Sequence, residues 1–536
     1  MRKITLLFFA VVLTIGAYAQ FNVASDNAGN YTSWNNGSNE GFGFGAWNLW
    51  QSNTSGWFLG SSSEKGFGNI DINGKSFGLW GNPSGDNYAN AQRLVSNWGD
   101  GATFSIDIAV AFRNGSKGIT LFATSWNEVV SFNISGDQYK FNGTNLGWAY
   151  DQASVFKLSV TQQGSDLNVR LSRGTDVHTA TIVDKTLYAF KLYNGSTDAG
   201  NDLNNLYFNN LKVSYSDWSK VPEGVKVEVE SNATLNSNKS VSDLIINSGT
   251  QVELAAGKQL TITGAATNAG TIILKTGATI IGDIAGTATV EQAAEEKRTY
   301  YIGSPVSGTG VGSANIGDYI TFTESTDTWS AAAAFSGLAP DFGKGYGVQV
   351  AAGGTHGTPA TISFTGTLNN SPAAQTVGMT IGKNQFNFLG NPYPSYLSSA
   401  TVLAGGDVEQ SLWFYTRTAT TPEVKYQFIT YNPASGGTVI PETEGIDGNV
   451  APMQGFWVKA NTASNFTFSN AMRSHKVGSA AFRAPQASEK QVLRLQVSNG
   501  TLSDEAVMLF SENANSDWNS SKMMNEGLNI YTVKAA

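Results

Sequence analysis

The strongest constraint on this chain is the rhythm of its apolar residues. Short runs of Val, Ile, Leu, Phe and Tyr recur along the whole length, and nearly all are cut off by Gly, Asn, Asp or Ser. Runs such as Thr103-Phe104-Ser105-Ile106-Asp107-Ile108 and Val155-Phe156-Lys157-Leu158-Ser159-Val160 alternate with period two, which is the pattern of a strand with one face buried. The 59 glycines outnumber the 13 prolines and, with the Asn and Ser residues, supply many tight turns. Helical periodicity is absent over any useful length, so the chain reads as all-β and multidomain.

Three textures divide the chain after its first residues. Residues 20–218 carry nine of the 13 tryptophans and strand runs spaced roughly ten residues apart, the layout of one β-sandwich or jelly roll. Residues 225–292 change to strand-sized runs punctuated by Gly, and Gly249-Thr250 and Gly270-Thr271 open two similar blocks. That repeat predicts a short β-solenoid-like spacer of stacked rungs. Residues 293–480 form an aromatic-rich β region of sandwich type. From 488 to 536 a further β module begins with Val492-Leu493-Arg494-Leu495 and reads as cut short.

Arg2-Lys3, the apolar run from Ile4 to Ile15 and the small residues ending at Ala19 have the order of a cleavable signal peptide, with cleavage expected after Ala19. No later stretch has the ~20 apolar residues of a membrane-spanning helix. The expected place of the mature chain is therefore extracellular or at the cell surface. Cysteine is absent, so packed cores, or bound ions, must supply stability without disulfides. A net charge of -8 with 14% charged residues offers no basic stripe for nucleic acid.

Thr299-Tyr300-Tyr301-Ile302-Gly303-Ser304-Pro305-Val306, Asn387-Phe388-Leu389-Gly390-Asn391-Pro392-Tyr393-Pro394, Met453-Gln454-Gly455-Phe456-Trp457 and Phe468-Ser469-Asn470-Ala471-Met472-Arg473 stand in this order. Together they resemble the C-terminal β modules of Bacteroidota surface proteins exported by the type IX secretion route. The resemblance implies the type IX export machinery as a partner and association with the outer membrane. The N-terminal region, with Gly41-Phe42-Gly43-Phe44-Gly45-Ala46-Trp47, Lys75-Ser76-Phe77-Gly78-Leu79-Trp80 and Leu206-Tyr207-Phe208-Asn209-Asn210-Leu211, looks like a lectin-type, concanavalin-like jelly roll. That likeness implies a carbohydrate ligand.

A glycosidase on such a scaffold needs two carboxylates across the sugar ring. The nearest strand carries Asp107 alone, and the retaining-glucanase cluster Glu-x-Asp-x-x-Glu is missing. His178, His356 and His475 lie in different regions, which leaves no linear constellation for a catalytic relay or a His-centred metal site. Aromatic residues are the richer resource, because the C–H face of a sugar stacks on Trp or Tyr while polar neighbours bond its hydroxyls. Trp80, Asp86, Asn87, Tyr88 and Arg93 cluster in one loop and its exit, and Trp47, Trp50 and Trp57 sit among Asn and Ser. These eight are the candidate ligand-binding residues. Asp198, Asn201, Asp202 and Asn204 place oxygen ligands on a Gly-containing loop, a candidate site for structural calcium that departs from EF-hand spacing.

The leading expectation is thus a carbohydrate-binding or adhesion protein with no legible catalytic site and a polysaccharide or surface glycan as partner. The rivals are a secreted glycoside hydrolase, whose carboxylates come from separate strands, and a structural surface or filament protein whose aromatics all serve cores and subunit contacts.

Overall fold

The computed structural model of the chain describes residues 20–82, 85–198, 201–308, 315–355, 357–419, 425–432, 438–440, 448–475, 491–499, 503–510 and 529–530. The expected signal peptide, His356, Ala199 and Gly200 of the acidic loop, and most of residues 511–536 lie outside these. The chain divides into two compact units, residues 1–233 and 234–536, and regular structure among the described residues is nearly all strand, with one short α-helix at Ser399–Val402.

The first unit is a two-sheet sandwich. Its strands are β1 (Phe21–Asp26), β2 (Asn48–Ser52), β3 (Ser55–Gly60), β4 (Ser76–Gly81), β5 (Tyr88–Leu94), β6 (Ala102–Val110), β7 (Ser116–Phe122), β8 (Glu128–Ser135), β9 (Gln138–Phe141), β10 (Thr144–Asn145), β11 (Val155–Gln163), β12 (Asp166–Arg173), β13 (Asp176–Ile182), β14 (Ala189–Gly195), β15 (Leu206–Tyr215) and β16 (Lys226–Val229). One sheet runs β13-β12-β11-β6-β15-β1-β16, with β4 on β15 and β3 on β4. The other has seven strands in the order β10-β9-β8-β7-β14-β5-β2. Alternation fills the space between them: Phe104, Ile106 and Ile108 of β6 and Phe190 and Leu192 of β14 are all buried, and the Phe104 and Phe190 rings lie 5.0 Å apart. Trp34, Trp47, Phe77, Phe190 and Phe208 form an interlocked aromatic core, with ring centroids 4.8–6.0 Å apart.

Turn chemistry sets the registers. Gly136 and Asp137, both with positive φ, make the two-residue connection between β8 and β9, as the right-handed twist of a hairpin requires. Asn142-Gly143 does the same between β9 and β10.

In the second unit the twenty-residue repeat is a β-solenoid of about three turns. Leu260 lies beside Lys239 and then beside Ile280 in parallel register, and Gln251 pairs Thr271. Val241, Leu244, Ile246, Val252, Leu254, Leu260, Ile272, Leu274 and Ile280 fill its interior, because each rung covers the apolar row of the next. Beyond it an antiparallel sheet joins Phe386–Gly390, Gly455–Lys459, Leu412–Ala419 and Lys425–Asn432. The motif residues are architectural here. The Asn391 amide donates to the carbonyls of Ser395, Val450 and Ala451, and a Cβ on Gly390 would lie 2.5 Å from the Cα of Gly303. Gln491–Ser498 and Ser503–Phe510 close the described residues as a hairpin.

Candidate functional site

Aromatic and polar side chains gather on the outward face of the seven-stranded sheet, some of them exposed, as Trp50 is, and others packed over by their neighbours, as Asn90 and Thr120 are. Strand parity decides which residues stand there. Leu49, Ala89, Ala91, Phe190, Leu192, Ile119, Leu121, Phe132 and Ile134 are buried against the opposite sheet, so their neighbours in sequence point away. Cross-strand register then lines up three rows. The middle row is Trp50, Asn90, Tyr193, Gly118, Asn133, Lys140 and Asn145. On one side of it run Ser52, Tyr88, Gly195, Ser116, Ser135 and Gln138, and on the other Asn48, Gln92, Lys191, Thr120 and Ser131. From β2 to β8 the face spans four inter-strand spacings, about 19 Å.

Gly118 leaves the middle of this face without a side chain, which lets Tyr193 of β14 reach across β7 to Asn133 of β8. Its φ is +152°, and a Cβ there would sit 2.0 Å from the Phe132 carbonyl oxygen. Across it the Tyr193 hydroxyl accepts a 2.7 Å hydrogen bond from the Asn133 amide, which also donates to Ser116 at 3.1 Å. Burial pushes the Tyr193 phenol above its ordinary value, so it stays a neutral hydroxyl at physiological pH. Trp50 remains 39% exposed at one margin.

At the far end of β7, Trp126 is 44% exposed and touches Phe122 and Tyr188 edge-on, at 5.6 and 5.5 Å. Trp126 has φ +60° and Ser125 φ +62°. For a bulky residue that backbone conformation is a strained outlier, and here it accompanies an indole left in solvent. The Lys191 ammonium lies over the Phe122 and Tyr193 rings, at 5.7 and 5.9 Å. None of the three rows contains a carboxylate; Glu128, opposite Phe122, stands at the margin.

The structure redistributes the residues singled out by sequence. Trp50 and Tyr88 fall on this face. Trp47 is 1% exposed and belongs to the aromatic core. Arg93 is also 1% exposed: it is ion-paired with Asp26, donates to the Gly45 carbonyl at 2.6 Å, and lies over the Phe44 and Trp47 rings. These two residues hold the sandwich together and cannot meet a surface ligand, which corrects their assignment. Asn87 is buried as well, its side-chain oxygen accepting from the Thr54 amide at 2.7 Å. Asp86 is exposed, and its carbonyl receives Ser52 and Asn53. Trp80 and Trp57 stand half-buried on β4 and β3, in the other sheet; a Cβ on Gly56 would lie 2.9 Å from the Trp80 indole nitrogen. The loop cluster of Trp80, Asp86, Asn87, Tyr88 and Arg93 is therefore split between two sheets, a core and a turn.

The proposed calcium residues each have protein partners. Asp202 pairs with Lys65 at 2.8 Å, and Asp198 accepts from Asn114 at 2.7 Å. Asn201 caps the Leu203 amide, and Asn204 donates to the Asp198 carbonyl. Beneath them the buried Lys117 ammonium donates to the carbonyls of Phe112 and Asn204, and burial lowers its pKa to about 7. Among the described residues no three His, Asp or Glu side chains gather as a metal site would require.

Sequence reasoning missed Tyr193, Asn133, Lys191 and Trp126. The alternation Phe190-Lys191-Leu192-Tyr193 carried a signal for two of them; nothing local announced that Trp126 would face water.

Fold and site together define a multidomain all-β protein whose first sandwich has an outward sheet face lined by aromatic and amide side chains. Residues 214–533 match the family described as a domain of unknown function (DUF8693), and the chain belongs to that family. No curated protein matches it. Among solved structures it is similar to a sialidase, at 11% identity and TM-score 0.26 over 37% of this chain and 19% of that one. The chain thus spans about a fifth of the sialidase's length. It is also similar to the carbohydrate-binding module TmCBM27, described for specific mannan recognition, at 12% identity and TM-score 0.16 over 31% of this chain and 88% of that one. A third likeness is to the CBM22-1-GH10 modules of a Clostridium thermocellum endo-1,4-beta-D-xylanase 10B complexed with xylohexaose, at 9% identity and TM-score 0.17, over 42% and 38% of the two chains.

Proposed function

We propose that the first sandwich binds an extended polysaccharide across the outward face of its seven-stranded sheet, in a protein displayed outside the cell. The observation that carries the proposal is the row from the exposed Trp50 through the buried Asn90 and the half-buried Tyr193 to Asn133, where rings and amides alternate around Gly118 with no carboxylate among them. Stacking surfaces and amide hydrogen bonds are what a chain of neutral sugar rings needs. Hydrolysis needs two facing carboxylates, and Glu128 stands without a second on this face. Binding is therefore favoured over turnover.

Affinity electrophoresis of the full chain through mannan, xylan, mixed-linkage glucan and alginate gels tests the proposal. Retardation by at least one of them, weakened about tenfold in Trp50→Ala and in Tyr193→Ala, is expected. Undiminished retardation in both variants, or release of reducing sugar, would refute it.

Export completes this reading. The charged, apolar and small-residue order of residues 1–19 supports a cleaved leader, and the Gly-Asn-Pro and Gly-Phe-Trp motifs support passage by the type IX route to the cell surface. Surface proteolysis of intact cells, with and without a functional type IX apparatus, checks both points.

A further inference from the structure

A concave feature of the sandwich lies at the end of the sheet, just beyond the row of Gly195, Ser116 and Gln138, and no residue of the three rows lines it. It is a cleft of about 320 Å³ lined by Phe112, Arg113, Asn114, Asp137, Tyr150 and Asp198. Four connections deliver these residues: the turn from β6 to β7, the tip of the β8–β9 hairpin, the segment after β10, and the exit from β14. Gly115 lets the first turn close, since a Cβ there would lie 2.6 Å from the Gly195 carbonyl oxygen. Lys117 ties this turn to the 201–205 loop from beneath.

The lining side chains are complementary in chemistry and incompletely satisfied. The Arg113 guanidinium is flanked by the rings of Tyr139 and Tyr150, each 5.2 Å away. Tyr139 is fully buried, whereas Tyr150 is 47% exposed, so one ring anchors the cation and the other offers a surface. The Arg113 Nε is buried without a hydrogen-bond partner. Asn114 gives its amide to Asp198, and its Oδ1 is also buried without a partner. A buried polar atom left unpaired costs about 1–3 kcal/mol, so this donor and this acceptor, side by side in the chain, mark a polar cleft wall whose hydrogen bonds the protein leaves unfilled. Two carboxylates and one guanidinium give the cleft a net charge of -1, which disfavours an anionic ligand. The volume is at the small end of ligand sites, enough for one ring.

We propose that this cleft is a second carbohydrate site, taking a single neutral sugar ring at the end of a chain. The sugar's apolar face rests on Tyr150. One of its vicinal hydroxyls accepts from Arg113, and its neighbour donates to Asn114 or to the Asp137 or Asp198 carboxylate. The site does not depend on the sheet-face reading, and it would let the protein hold a terminus while the face holds a length of chain.

Saturation-transfer difference NMR on the full chain tests it, with the methyl pyranosides of glucose, galactose, mannose and xylose, methyl glucuronide and glucosamine as probes. At least one neutral glycoside is expected to show transfer at millimolar concentration. Tyr150→Ala, an exposed change that leaves the fold intact, should weaken it about tenfold, and Arg113→Gln should do likewise. Trp50→Ala should leave it unchanged, which separates failure of this proposal from failure of the sheet-face one. No transfer from any neutral glycoside, equal transfer in Tyr150→Ala, or stronger transfer from the glucuronide or the amino sugar would each overturn it.

Discussion

Arg93 distinguishes a binding residue from a structural one, and the two roles predict opposite phenotypes. Its side chain and that of Asp26 have no exposure at all, and they form a direct ion pair. Asp26 also accepts from the Tyr31 hydroxyl at 2.6 Å, and Arg93 donates to Asn39 and to the Gly45 carbonyl. Removing one partner of a buried pair costs about 3–5 kcal/mol, because the other charge stays buried and uncompensated. Loss of the guanidinium from above the Phe44 and Trp47 rings adds roughly 1 kcal/mol. At about 2–4 °C per kcal/mol for a unit of this size, Arg93→Ala should lower the melting temperature of the first unit by roughly 8–24 °C. Differential scanning calorimetry of the full chain resolves this, since the transition of residues 234–536 should hold its place as an internal reference. The double variant Asp26→Leu with Arg93→Met removes both charges while keeping volume, and should recover more than half of the loss. An Arg93→Ala protein that melts like the wild type, or a double variant no better than the single one, would refute the assignment of Arg93 to the core.

Two further outcomes follow from local features. Lys117 has its pKa lowered by burial from 10.5 to about 7, so between those values the unfolded chain holds a proton that the native state has released. Stability contributed through this group therefore rises as pH increases from 7 to 10.5, by at most about 1.4 kcal/mol per unit; urea midpoints should climb over that range relative to Lys117→Met, and parallel curves would contradict the burial described. Trp126 carries a φ of +60°, so Trp126→Gly should be about 1 kcal/mol more stable than Trp126→Ala, since both lose the ring but only Gly relieves the backbone. Both variants should also lose retardation in polysaccharide gels, and an Ala variant as stable as the Gly one would show that this backbone is unstrained.

What could be learned from the residues alone was local in origin. Alternation over 103–108 and 155–160, Gly and Asn at the turns, and the twenty-residue repeat from Gly249 to Gly270 are short-range signals, and the strands and solenoid rungs follow them. The all-β fold class was legible from such signals. The site was not. Trp47 and Trp50 stand three residues apart among similar neighbours, yet one fills the core and the other faces water, because β2 begins between them and its pairing with β5 turns Leu49 inward. Arg93 looked like a polar loop exit until Asp26, 67 residues earlier in the chain, was placed beside it. Tyr193, Gly118 and Asn133 become one feature only through the β14-β7-β8 register. A strand's sequence sets which residues share a face; only the packing of one sheet on another decides which face meets solvent, and that choice is made by contacts far apart in the chain.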